Sequence, residues 1–152
     1  MKRILVLVLA IVILAIGCSK DYEPTGPADI ETLTETINHT VSDTVEGEEA
    51  ISLLTFEDKK VRLFIKARYP DKMSLESDSA KLFENIYKHT GVDNVELTWE
   101  GKFTDTYGNS NYNTIMIVHM TKEVADKIKW KDFNSSNLEQ VADRYKKHEQ
   151  VE

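Results

Sequence analysis

The chain has 152 residues, 19 of them basic and 26 acidic, giving a formal net charge of −7. That balance excludes a general nucleic-acid footprint, which needs clustered positive charge, so no nucleic-acid partner is expected. Six Gly and 3 Pro exclude collagen-like or low-complexity composition, and a single Cys excludes an internal disulfide and every multi-Cys zinc framework.

The first element is an address. Lys2 and Arg3 precede an uncharged apolar run of 14 residues from Ile4 to Gly17. Crossing a hydrocarbon core as a helix takes roughly 20 apolar residues, so this run has the length of a signal-peptide core instead. The two cations supply the positive flank that sets orientation during export. The run ends Leu14-Ala15-Ile16-Gly17-Cys18-Ser19-Lys20. This resembles the lipobox of bacterial lipoproteins, in which a small residue precedes an obligatory Cys. The family pattern usually has Leu three residues before the Cys, and Ala15 stands there in this chain. The resemblance implies cleavage between Gly17 and Cys18, a thioether-linked diacylglycerol on Cys18, and a membrane partner reached through that lipid, with the protein on the extracytoplasmic face.

Residues 18–29 then read as a lipidated N-terminus and tether. Pro24, Gly26 and Pro27 deny the stretch a helix or a strand. Eleven residues at roughly 3.3–3.6 Å each reach at most about 40 Å, so the domain works close to the bilayer.

Residues 30–152 are expected to form one domain. Ile30, Leu33 and Ile37 fall at helical spacing, with Asp29 as N-cap, and predict a short helix to about Asn38. Ser42 to Glu49 is acidic and reads as loop. Ala50 to Phe56 reads as a strand and Glu57 to Lys60 as a hairpin turn. Val61, Leu63, Ile65, Ala67 and Tyr69 then alternate with Arg62, Phe64, Lys66 and Arg68, a period-two strand with one wetter face that Pro70 and Asp71 stop. Leu82, Phe83, Ile86 and Tyr87 make one helical stripe between Ser74 and Thr90, capped by Ser74 or Ser77 and closed by Gly91.

Val95, Leu97, Trp99, Gly101 and Phe103 alternate strictly with Glu96, Thr98, Glu100 and Lys102 and form the clearest half-buried strand. A polar loop from Asp105 to Asn111 joins it to Asn113–Met120, which is apolar on both sides and therefore expected to be central. Thr121 opens a short helix to about Ile128. Ser136 and Glu139 have capping-box spacing and open a last helix with Leu138, Val141, Ala142 and Tyr145 inward and Lys146, Lys147 and His148 at its end. The sum is an α+β fold: a small antiparallel sheet packed against two to four helices.

Chemistry-bearing residues do not assemble into a recognisable site. No two of His39, His89, His119 and His148 lie at i,i+4 on one helix, and the Asp105 loop fails the calcium pattern, with Tyr107 at the third position and Met116 at the twelfth. No nucleophile elbow or phosphate loop is present, so neither a catalytic residue nor a metal or other cofactor is expected. His119 reads as a packed or edge residue, Glu96 and Glu100 as a solvated pair, and Trp99 as a core anchor. Trp130, in a connector flanked by lysines, and Tyr107, in the polar loop, are the candidates for an interaction surface, where aromatic residues are enriched.

The stretch from Val95 to His148 resembles small lipoproteins and secreted proteins of Gram-positive bacteria, some carried on prophages. The residues that carry this are Val95-Glu96-Leu97-Thr98-Trp99, Asp105-Thr106-Tyr107-Gly108-Asn109, Lys127 to Phe133, Asn137-Leu138 and Val141 to Tyr145 with His148. The resemblance covers about a third of the chain, implies a Gram-positive membrane, and assigns no activity.

These readings favour a non-enzymatic, membrane-anchored module that binds an envelope or extracellular protein, with exclusion or immunity as its role if the gene is carried on a mobile element. The alternative is an envelope-associated enzyme or ligand-binding accessory protein. The acidic charge is also uneven. Residues 19–60 hold 3 basic and 11 acidic side chains, whereas residues 61–152 hold 14 and 15, so repulsion of the membrane-proximal segment from anionic lipid is expected to hold the domain off the surface.

Overall fold

Alternation in Lys60–Lys66 and Asn94–Thr104 puts every second side chain on one side of a sheet, and the structure seals that side. Val61, Leu63, Ile65, Val95, Leu97 and Trp99 are all fully buried, while their sequence neighbours face the other way. The computed structural model describes residues 26–41 and 51–151; the sequence readings for residues 1–25 and 42–50, including Gly17 and Cys18, lie outside them.

The elements run β1 (Gly26–Pro27), α1 (Ile30–Val41), β2 (Ile51–Glu57), β3 (Lys60–Lys66), α2 (Lys72–Ile86), β4 (His89–Thr90), β5 (Asn94–Thr104), β6 (Ser110–Thr121), α3 (Lys122–Ala125), α4 (Leu138–Val141) and β7 (Arg144–Lys147). Short 3₁₀ turns occupy Trp130–Asp132 and Ser135–Asn137. The main sheet has the order β2-β3-β5-β6-β7, and β1 pairs with β4 separately. This is the α+β fold read from the sequence.

Several elements follow from local chemistry. Asp29 caps α1 as expected, its Oδ1 accepting from the Thr32 amide at 2.8 Å. Asp58 and Lys59 have φ of 48° and 60°, the left-handed pair of a two-residue hairpin whose twist matches its strands. Asp71, rather than Ser74 or Ser77, caps α2, because its carboxylate reaches the Ser74 amide at 2.9 Å. Gly101 is buried where a Cβ would stand 2.9 Å from Cγ2 of Ile115, the residue displaced by the bulge between β5 and β6.

Five expectations need correction. Gly26 and Pro27 are not part of the tether: they form a parallel bridge with His89 and Thr90, and Ala28 donates to the Thr90 carbonyl. Proline is tolerated there because the ladder asks no N–H of it. The sheet is mostly antiparallel, but β3 and β5 are parallel, since α2 carries the chain back across before β5 begins. Strand β6 is interior, yet β5 is the central strand. Gly91 does not close α2: that helix ends at Ile86, and Gly91, at φ 89°, turns the chain after β4.

The last helix is the largest departure. It stops after Val141, Ala142 turns extended, and Arg144–Lys147 pairs antiparallel with Met116–His119. An isolated helix of this length is marginal in water. Pairing satisfies the outer edge of β6, and Tyr145 still reaches the core side, its hydroxyl donating to Glu76 at 2.9 Å. Lys146, Lys147 and His148 therefore stand on or beside an edge strand instead of at a helix terminus.

Candidate interaction surfaces

The described helices cover one face of the sheet. Leu33 and Ile37 of α1 and Leu75, Leu82, Phe83 and Ile86 of α2 join the sheet's apolar side chains in one buried cluster. Trp99 is the anchor read from the sequence: it is fully buried, and its Nε1–H donates to Ser79 of α2 at 2.8 Å.

Trp130 lies on the outer flank of this layer. It is half-buried against the core and meets Phe133 edge-on at 5.6 Å between ring centroids. The ring borders two adjoining cavities along α2. One, of about 280 Å³, is lined by Glu84, Tyr87, Lys88 and Asp126 among others. The second, of about 180 Å³, shares Glu84 and Trp130 and adds Lys81 and Phe133. A third cavity of about 440 Å³ shares Ser135 with the second and continues past Met73, whose side chain is 77% exposed. Trp130 thus stands in the side of a groove that follows α2.

Tyr107 is 89% exposed at the tip of the β5–β6 hairpin. The structure does not bring it to Trp130. Thr104 pairs with Ser110 at the hairpin end, and Asn94 pairs with Thr121 at the other, where the connector to Trp130 begins. An 11-residue strand separates the two ends, about 35 Å at the usual rise. Asp105 explains the loop without a metal: its Oδ1 accepts from the amides of Tyr107 and Asn109 at 2.8 and 2.9 Å. Those bonds hold its carboxyl below the ordinary range, the Asn109 side chain contributing most. Among the described residues, no group of three His, Cys, Asp or Glu side chains could hold a metal ion.

The opposite sheet face carries two cross-strand rows. Leu53, Phe64, Thr98, Ile117 and Lys146 are in register in one, and Thr55, Arg62, Glu96, His119 and Arg144 in the next. Glu96 binds Arg144 at 2.8 Å and Lys60 at 3.6 Å, and Glu100 accepts from Ser52 at 2.7 Å. These two carboxylates serve the sheet's own polar contacts, in keeping with the solvated reading. His119 is half-buried in the second row. Desolvation, then Lys60, lowers its pKa. It is a packed residue of an interior strand, as read.

His89 is the residue that sequence reasoning misplaced. The helical stretch expected between Ser74 and Thr90 would hold it near its end, and it is instead 97% buried in β4, its relative exposure being 3%. Its Nε2 lies 2.7 Å from Thr36 Oγ1, which itself donates to the Thr32 carbonyl at 2.8 Å. The hydroxyl and the imidazole thus share one buried hydrogen bond. Burial lowers the pKa of this imidazole, opposed by the Gly26 backbone and Asp29. Thr36 and His89 resemble a nucleophile and its base, but both are sealed from solvent, so the pair ties α1 to β4. The repeat Thr32, Thr36, Thr40 at i,i+4 was the readable signal for a polar helix face seeking such a partner.

No family model matches the chain, and no curated protein and no solved structure matches it.

Proposed function

We propose that the chain is a membrane-anchored extracytoplasmic lipoprotein whose domain acts as a non-enzymatic binding module. One observation carries the reading: the single Cys directly follows a Gly that ends a 14-residue uncharged run behind two cations. Each buried lipid methylene contributes about 0.8 kcal/mol, so one chain binds marginally, whereas two or three on Cys18 hold the protein at the bilayer durably. The Trp130 groove supports a binding role, since a partly buried aromatic beside open cavities offers contact area at low entropic cost. The partner fitting this location is an envelope or extracellular protein. If the gene travels on a mobile element, the role is exclusion or immunity at the membrane.

Metabolic labelling with a radioactive fatty acid tests the anchor. Label is expected on the wild-type protein and lost in Cys18→Ala, which is released or left unprocessed. A variant that fractionates and migrates like wild type contradicts the reading. Crosslinking from native membranes, with and without Trp130→Ala, tests the binding role: a species captured by wild type is lost or weakened in the variant.

A further inference from the structure

The face of the sheet that no described helix covers has a charge opposite to that of the whole chain. Lys60, Arg62, Lys66, Lys102, Arg144 and Lys146 stand on it against Glu57, Glu96 and Glu100, while the chain as a whole carries −7. Lys60 and Arg144 neutralise Glu96, and Lys66 lies over the Tyr112 ring at 5.1 Å. Arg62, Lys102 and Lys146 are exposed and form no ion pair among the described residues. Between these charges runs the row of Leu53, Phe64, Thr98 and Ile117, with Leu53 49% exposed. No described helix packs against this side.

We infer that this face is a docking surface for an anionic bilayer, and that the helices and the Trp130 groove point away from the membrane. The inference rests on the reading of Cys18 as the anchor. Seven residues separate Cys18 from Gly26, where the described fold begins, so the domain starts within about 30 Å of the lipid headgroups. A surface held that close meets the bilayer at high effective concentration, so the local excess of cations on this face acts there against the repulsion expected of the acidic residues 19–60. The layout of charge favours lipid over an acidic protein. Lys60 and Lys102 sit at opposite ends of β5's register, about 26 Å apart by strand rise, and β3 and β7 are about 14 Å apart across the sheet. Cations spread over such a plane suit a laterally fluid array of phosphates, which rearranges beneath them. Each Lys or Arg near an anionic surface strengthens attachment about fivefold.

The test uses the full chain with a fluorophore on Thr114→Cys, on this face, or on Lys81→Cys, on the helix side. Both sites are exposed. Vesicles contain a headgroup quencher and either phosphatidylcholine alone or phosphatidylcholine with about one-third phosphatidylglycerol. With the anionic lipid, quenching at Thr114→Cys is expected to exceed that at Lys81→Cys severalfold, and to equalise at high salt. It also equalises in the Arg62→Gln/Lys102→Gln/Lys146→Gln background. Equal quenching at the two sites, or an asymmetry that survives charge removal or neutral lipid, overturns the inference and leaves the face to an acidic protein. Labelling of the wild-type chain at Cys18 would instead show a free thiol and overturn the anchor. The face is then read from flotation with anionic vesicles, where the triple variant loses on the order of 100-fold in partitioning. Undiminished flotation of that variant overturns the docking surface independently of the anchor.

Discussion

The two faces of one sheet are built on opposite terms. On the helix side, β5 presents Val95, Leu97 and Trp99, all fully buried, and the one polar atom of Trp99 is matched to Ser79. On the other side, the same strand presents Glu96, Thr98, Glu100 and Lys102, held by ion pairs, a serine contact and aliphatic neighbours. The difference separates what the fold needs from what the surface is free to do. Stability comes from burying apolar area on one face, and exposed ion pairs on the other contribute little.

Breaking the buried side is expected to have the largest effect. Trp99→Ala removes the largest fully buried side chain and leaves Ser79 without its donor. A loss of about 3–5 kcal/mol is expected, read as a lower urea midpoint at unchanged slope. Loss below about 1 kcal/mol would mean that the helices do not seal this face.

Neighbours on β7 sharpen the comparison. Tyr145 points to the core side and donates to the buried Glu76, whereas Arg144 points outward to Glu96. Tyr145→Phe leaves a buried carboxylate short of a donor and is expected to cost about 1–3 kcal/mol. Arg144→Gln, at an exposed ion pair, is expected to cost about 0–1 kcal/mol. Reversal of that order in denaturant unfolding would place β7 with its faces exchanged.

The smallest effect is one of pH. His89 is buried and its pKa is lowered from the ordinary 6.5. Between the folded and unfolded values the unfolded chain binds more protons, so stability falls as pH drops through about 6.5 and the loss is complete below the folded value. His119 acts in the same direction. Comparing urea midpoints at pH 7.5 and 5, His89→Gln is expected to show a smaller drop than wild type. An equal drop in both proteins would assign the slope elsewhere.

Much of the fold was legible because two periods were clean. The alternation from Val95 to Phe103 and the stripe of Leu82, Phe83, Ile86 and Tyr87 each need only local pattern; the strand formed where expected, and the helix formed there but ended earlier, at Ile86. The C-terminal segment was not legible for a physical reason. Leu138, Val141, Ala142 and Tyr145 satisfy a helical period, but the open edge of β6 competes for the same residues through backbone bonds that have no sequence signature. The parallel pairing of β3 with β5 was hidden likewise, because strand direction depends on where α2 returns the chain. At the candidate surfaces, Trp130 was visible as an aromatic in a polar connector. Its groove was not, since Lys81 and Glu84 come from α2, and Tyr87 from the residue that ends it, more than 40 residues earlier in the chain.

Both proposed surfaces rest on the proposed anchor at Cys18. The most direct measurement is the mass of the N-terminal peptide from protein extracted out of the membrane fraction. The account predicts a chain beginning at Cys18 and carrying diacylglycerol on its sulfur. A chain retaining Met1 to Gly17 with an unmodified Cys18 thiol would contradict it.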